Sequence, residues 1–292
     1  ASLTEFDCSH IGDNVVTITV TDGNNNVTQK TAIVTVMDNA PPAVEVQNVD
    51  LSLNADGEAV LSLEQAEVSS NDNCAIDSKV LSKTNFDCQD LGTNDVTLTV
   101  TDVNGNVTEK TFSVTLSDDI APTIIAQNYT VALDENGQAS VTEQDIDNGS
   151  FDNCSLTLSL DRFNFDCDDI GEQTVTLTGT DDSGNSASAS AIVTVVDNTA
   201  PSALANDLEI FLDINGVASI SVDQINNGSY DNCGIGSISL DRTDFECGDL
   251  GEQTVTLTVT DVNGLTSTTT AIITVTDNIA PTVVTKNITR FI

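Results

Sequence analysis

Four aspartates, Asp38, Asp118, Asp197 and Asp277, stand 80, 79 and 80 residues apart, and each opens a run of the type Asp-Asn-x-Ala-Pro. Two further sets keep the same period. Asp72-Asn73, Asp152-Asn153 and Asp231-Asn232 each precede a cysteine, while Asp102, Asp181 and Asp261 each open an Asp-x-x-Gly turn. Aspartate and asparagine offer hard oxygen donors, with no nitrogen or sulfur among them, and such sets suit Ca2+, which takes six to eight oxygens. The competing reading is plain turn chemistry, in which Asx side chains cap turns and proline stiffens a connector. Against it, carboxylates gathered at one connector repel one another unless a cation neutralises them. The candidate metal ligands are Asp38, Asn39, Asp72, Asn73 and Asp102 at the first joint. At the second they are Asp118, Asp119, Asp152, Asn153 and Asp181, and at the third Asp197, Asn198, Asp231, Asn232 and Asp261. Asp134-Glu135-Asn136-Gly137 and Asp213-Ile214-Asn215-Gly216 read as hairpin turns.

No nucleophile elbow, HExxH helix or Gly-rich phosphate loop is present. Acid pairs that recur at every joint suit structure better than a single glycosidase cleft. His10 is the only histidine and has no counterpart near Gln89, Asp168 or Gly248. The chain therefore reads as non-enzymatic.

The elements that must position these oxygens are β-strands. In Phe245 to Pro281, Val255, Leu257 and Val259 alternate with threonines, an Asp261-Val262-Asn263-Gly264 turn follows, and Ile273 and Val275 alternate back. The same hairpin block recurs from Phe6 to Pro42, Phe86 to Pro122 and Phe165 to Pro201, which makes the chain an array of one small β unit. The expected organisation is an incomplete repeat over 1–41, repeats over 42–121, 122–200 and 201–280, and the first strand of another over 281–292. Both ends read as cuts through a longer repeat protein. Within 122–200, Ile124 to Leu133 reads as an extended stretch that returns through Ala139 to Val141, Asp145 to Asn153 as a polar loop, and Leu156 to Leu160 as a strand. Six or seven short strands per repeat, without helix signals, predict an all-β fold of tandem immunoglobulin-like or fibronectin-like sandwiches. In that fold the Asp-Asn-Cys loop and the hairpin turn lie where the chain enters. Asp197 and Asn198 should then meet Asp231, Asn232 and Asp261 of the following repeat.

The 46 acids against 8 bases give a net charge of −38. That excludes nucleic acid and anionic membrane surfaces as partners and favours divalent cations. No apolar run is long enough to span a bilayer. Seven cysteines fall in two slots per repeat; inside each repeat they pair as Cys74 with Cys88, Cys154 with Cys167 and Cys233 with Cys247, and Cys8 fills a second slot. A thiol metal site is the rival, without CxxC spacing or nearby histidines. Disulfides imply an oxidising, extracellular compartment. Phe151 and Tyr230, beside the Asp-Asn loop, are the paired candidates for a contact surface, with packing of the joint the preferred reading. Lys79 and Lys83 are read as non-recurring and are discounted as crosslink residues.

The run Asp152-Asn153-Cys154, Phe165-Asp166-Cys167 and Gly171 through Asp181 to Gly184-Asn185 resembles the hyalin repeat family of extracellular immunoglobulin-like modules. Acidic tandem copies are similar to those in giant surface adhesins of Bacteroidetes, including gliding-motility adhesins exported by the type IX pathway. The linker also resembles the calcium-binding Asp-Asn-x-Pro joints of cadherins. These resemblances imply a cell-surface stalk segment for adhesion, with neighbouring repeats and other filaments as partners. An array of polysaccharide- or glycoprotein-binding modules is the alternative. Leu265 departs from the pattern, standing where Asn106 and Asn185 stand, and implies weaker metal binding at that turn.

Overall fold

A computed structural model describes residues 1–290, and it is all-β. The chain gathers into two compact units. The first holds Ala1–Thr123 with Phe151–Thr157 and Gly179–Ala187; the second holds Ile124–Ser150, Leu158–Thr178 and the chain from Ser188 onward.

In the first unit, β1 (Gly12–Thr21) and β2 (Val27–Val36) form an antiparallel hairpin. The chain continues through β3 (Ala43–Val46), β4 (Val49–Ser52) and β5 (Glu58–Val60), a single helical turn α1 (Leu63–Ala66), and β6 (Glu67–Asn71). Next come β7 (Ile76–Leu81), β8 (Asn85–Asp87), β9 (Gly92–Asp102) and β10 (Val107–Ser117). The main sheet has the order β4-β10-β9-β7, with β4 parallel to β10, and β3-β6 and β5-β8 form two short antiparallel pairs. Period-two alternation fixes the register: Val96, Leu98 and Val100 of β9 and Phe112, Val114 and Leu116 of β10 all point into one core. The intervening residues, largely threonines, face outward.

The pattern recurs in β11 (Tyr129–Ala132), β12 (Gln138–Ser140), α2 (Glu143–Ile146), β13 (Thr157–Leu160), β14 (Asn164–Asp166), β15 (Gly171–Thr180) and β16 (Ser186–Val196). It recurs again in β17 (Leu208–Phe211), β18 (Val217–Ser219), α3 (Val222–Ile225), β19 (Ile235–Leu240), β20 (Asp244–Glu246), β21 (Gly251–Asp261) and β22 (Thr266–Thr276). The last sheet runs β17-β22-β21-β19 and encloses Val255, Leu257, Val259, Ile273 and Val275. Among the described residues no helix is long and apolar enough to cross a membrane.

Three expectations need correction. First, the polar loop after β12 contains α2, and α1 and α3 are its counterparts. Each is capped by a Ser or Thr whose N–H bonds the side chain three residues on, as Ser62 does with Gln65 and Thr142 with Asp145. Each also plugs the core with one buried residue, Ala66, Ile146 or Ile225. Second, the Asp134–Gly137 and Asp213–Gly216 turns do not close hairpins. β11 pairs in parallel with β16, whereas β12 pairs with β14, so the turn passes the chain from one sheet to the other. Third, residues 281–290 form no strand. Their counterparts after Pro122 and Pro201 likewise make only isolated bridges, Thr123 with Phe151 and Ser202 with Tyr230; Phe291 and Ile292 lie outside the described residues.

Candidate metal centre at the repeat joints

Each joint is assembled from three turns whose aspartates spend one carboxylate oxygen on their own backbone. In the linkers, Asp118 Oδ1 accepts the Ile120 N–H at 3.2 Å and Asp197 Oδ1 the Thr199 N–H at 3.0 Å. In the loops, Asp152 Oδ2 accepts the Cys154 N–H at 2.9 Å, and Asp231 Oδ2 does the same for Cys233 at 2.9 Å. In the hairpin turns, Asp181 Oδ1 accepts the Asn185 N–H at 2.8 Å, and Asp261 Oδ1 those of Asn263 and Leu265 at 2.8 and 2.9 Å. Turn chemistry therefore accounts for half of each carboxylate.

The carboxylates themselves converge. Asp38, Asp72 and Asp102 bring one oxygen each to within 4.8 Å of one another, as do Asp118, Asp152 and Asp181, and Asp197, Asp231 and Asp261. Several of these oxygens are buried without any hydrogen-bond partner: Asp72 Oδ1, Asp118 Oδ2, Asp152 Oδ1, Asp231 Oδ1 and Asp261 Oδ2, joined by Asn153 Oδ1 and Asn232 Oδ1. Buried acceptors without donors are rare because their desolvation goes uncompensated. Unit charges about 5 Å apart at a protein surface repel by roughly 3 kcal/mol per pair. An oxygen-only donor set of this kind fits a hard divalent cation, and Ca2+ best.

Asn73, Asn153 and Asn232 turn their amide groups toward linker Asp38, Asp118 and Asp197 at 3.1, 3.1 and 3.3 Å, which aims the carbonyl oxygens of the latter two inward. Asp119 is not among the clustered carboxylates. Asn39 and Asn198 are exposed, and Asp119 turns to the hydroxyls of Ser52 and Ser117 at 2.9 and 3.1 Å. Burial pushes the Asp102 carboxyl up, but the Asn106 amide and the N–H groups of Asn106, Asn104 and Gly105 outweigh it and hold the group below the ordinary carboxylate value. Asp181 is held low in the same way by Asn185, Gly184 and Ser183. Both are therefore ionised at neutral pH.

The cysteine pairing differs from the expected one. The bonds are Cys8–Cys74, Cys88–Cys154 and Cys167–Cys233, each spanning 66 residues, and the pairs Cys74–Cys88, Cys154–Cys167 and Cys233–Cys247 do not form. The reason is distance along the strand. Cys74 precedes β7, whose six residues carry the chain about 20 Å away before β8 leads to Cys88. A disulfide tolerates a Cα separation of at most about 7 Å; the observed pairs lie at 5.5, 5.5 and 5.3 Å. Each bond thus ties the second cysteine of one repeat to the Asp-Asn-Cys loop of the next. Cys247 is exposed and unpaired among the described residues.

The joint also uses residues not singled out in the sequence. Asn232 donates to the Asp134 carbonyl at 2.9 Å, so the sheet-crossing turn touches the following loop. Gly137 there has φ +72°, and a Cβ at that position would lie 2.5 Å from Cys167 Sγ and 2.9 Å from the Asn232 carbonyl oxygen. Phe151 and Tyr230 do not pack the joint but stand 60% and 63% exposed. Lys83, discounted as non-recurring, has counterparts in Arg162 and Arg242. The three pair with Asp90, Asp169 and Asp249 and lie 4.9, 4.6 and 4.5 Å over the rings of Phe86, Phe165 and Phe245.

Fold and joint together define an array of disulfide-linked β-sandwich repeats, and three disulfides place it in an oxidising, extracellular environment. No protein-family model matches the chain, and no curated protein matches it. Among solved structures it is similar to the protocadherin gammaB7 EC3-6 cis-dimer, at 17% identity and a TM-score of 0.32 over 93% of this chain and 86% of that one. It is also similar to mouse cadherin-23 EC22-24, at 13% identity and 0.33 over 81% and 99%, and to Drosophila N-cadherin EC1-4, at 14% and 0.33 over 90% and 83%. The likeness extends no further than tandem β-sandwich architecture.

Proposed function

We propose that the chain is a stalk segment of a long extracellular adhesin, in which each joint between repeats is held by a disulfide and a bound Ca2+. The observation that carries this reading is that both devices act on one loop. The Asp-Asn-Cys loop brings its carboxylate to the linker aspartate's cluster, donates its asparagine NH2 to that aspartate, and is bonded through its cysteine to the preceding repeat. Asp118, Asp152, Asn153 and Asp181 would hold the ion at one joint, and Asp197, Asp231, Asn232 and Asp261 at the next. Neutralising the carboxylates would fix the angle between neighbouring repeats and transmit load from a tip to the cell surface. The motif resemblance extends the proposal to hyalin-repeat surface adhesins of the gliding-motility type. Calorimetric titration of the metal-stripped chain with Ca2+, paired with small-angle scattering, tests it: binding should accompany a narrower distribution of dimensions. Absence of both heat and any change in scattering would refute the cation clamp.

A second reading rests on the exposed rings of Phe151 and Tyr230, which offer flat apolar faces to a polysaccharide. A glycan array separates the two, because a spacer gives no signal.

A further inference from the structure

The three joints share their aspartates but not the amides that surround them. Two positions differ, the second and the fourth after the turn aspartate. At the second, Asn104 donates to Asp38 Oδ2 at 2.9 Å and Asn263 to Asp197 Oδ2 at 2.9 Å. At the fourth, Asn106 donates to Asp102 Oδ2 at 2.7 Å and to the Asp38 carbonyl at 3.1 Å, and Asn185 donates to Asp181 Oδ2 at 2.8 Å and to the Asp118 carbonyl at 2.9 Å. Because both acceptors are oxygens, the group facing the joint is the NH2, which cannot ligate a cation. These amides are protonic stand-ins for positive charge.

The first joint has both amides. The second has Ser183 where Asn104 and Asn263 stand, and there Asp118 Oδ2 has no partner although the residue is only 5% exposed. The third has Leu265 where Asn106 and Asn185 stand, and there Asp261 Oδ2 is bare at 3% exposure. Each missing amide coincides with one orphaned, buried carboxylate oxygen inside the cluster. A cation at the first joint competes with two amide protons and finds only Asp72 Oδ1 free, while at the second and third it meets two free carboxylate oxygens, Asp118 Oδ2 with Asp152 Oδ1 and Asp261 Oδ2 with Asp231 Oδ1.

We propose that residues 104 and 106, 183 and 185, and 263 and 265 set the cation affinity of their joints, each asparagine amide weakening it. The joint at Asp38 is then the weak site, and those at Asp118 and Asp197 the tight ones. The inference rests on the cation reading above and reverses the expectation that Leu265 weakens its site: the leucine frees a ligand oxygen.

Calorimetric Ca2+ titration of the whole chain should resolve two tight sites and one about tenfold weaker, the size of one hydrogen bond to a charged group. Leu265→Asn should leave one tight site, and Ser183→Asn should do the same at the other joint if the first variant folds poorly. Either Asn104→Ser or Asn106→Leu alone, leaving one amide as at the other two joints, should bring the first joint into the tight class. Ca2+ binding with three equivalent sites, or with Leu265→Asn equal to or tighter than the unaltered chain, overturns the amide rule and leaves the cation clamp standing. No binding at any joint removes both.

Discussion

Replacing both Cys88 and Cys154 by serine should uncouple the second repeat from the third at a calculable loss. The bond closes a loop of 66 residues. Loop-closure entropy of that length corresponds to about 4 kcal/mol at 25 °C, against about 3 kcal/mol for the roughly 14-residue loop of a bond inside one repeat. For repeats of this size, 1 kcal/mol shifts Tm by roughly 4–8 °C, so the double variant should melt roughly 15–30 °C lower for the affected transition. Stability alone does not separate the two pairings; peptide mapping does. Tryptic cleavage of the denatured, alkylated and unreduced chain after Lys30, Lys79, Lys83, Lys110, Arg162, Arg242 and Lys286 isolates the cysteines in separate peptides, except Cys167 and Cys233, which share 163–242. The observed bonds predict that 1–30 stays joined to 31–79 and 84–110 to 111–162, while 163–242 carries an internal bridge and 243–286 an alkylated Cys247. A species joining 31–79 to 84–110, or 111–162 to 163–242, would refute the strand-length reasoning.

Ca2+ should raise the melting temperature of the chain and EDTA reverse it, and Asp197→Asn with Asp261→Asn should abolish the response at that joint, read by differential scanning calorimetry. Asp102 and Asp181 are held below the ordinary carboxylate value, so their contribution is complete above that value and vanishes as pH falls through the lower, folded one. Acidification from pH 7 should therefore leave the metal-free melting temperature steady until the carboxylate range and then lower it; a midpoint of loss near neutrality would contradict this. Arg162→Ala removes the pair with Asp169 and the contact over Phe165, with an expected destabilisation of about 1 kcal/mol in chemical denaturation. Gly137→Ala should destabilise by about 1–3 kcal/mol and speed reduction of the Cys167–Cys233 bond by added dithiothreitol, followed by alkylation of the released thiols, since a Cβ there meets both Cys167 Sγ and the Asn232 backbone.

The closing hairpins were fully legible, because Val255, Leu257, Val259, Ile273 and Val275 alternate with threonine at period two and such alternation has one burial solution. The aspartates that cluster were legible from their common period. What the spacing of a single repeat hides is which end of a strand a residue occupies. Cys74 and Cys88 look adjacent in sequence, yet β7 lies between them. The readable signal was elsewhere: Cys8 to Cys74, Cys88 to Cys154 and Cys167 to Cys233 are all 66 residues apart, whereas the intervals inside repeats drift. The helical turns α1 to α3 are too short for any periodicity, although Ser62-x-x-Gln65 and Ser221-x-x-Gln224 carry a capping signature. The parallel partner of β11 is non-local, and nothing in 129–132 encodes it. The basic residue three before each core phenylalanine was hidden by the alternation of Lys83 with Arg162 and Arg242.

The three 66-residue bridges lie one after another along the chain without overlapping. A tensile force applied between Cys8 and Cys233 therefore travels through sulfur at each bridge and bypasses the β1-β2, β9-β10 and β15-β16 hairpins, since the backbone between Cys88 and Cys154 lies off the loaded path. Beyond Cys233, β21 and β22 carry no bridge; between Cys8 and Cys233 the stretches that can be drawn out are those between bridges, Cys74 to Cys88 and Cys154 to Cys167. At about 3.5 Å per residue each can yield roughly 50 Å, where an unbridged repeat of this length would pay out close to 280 Å. The covalent wiring makes the chain from Cys8 to Cys233 a tether that stretches little even when its sandwiches are torn open.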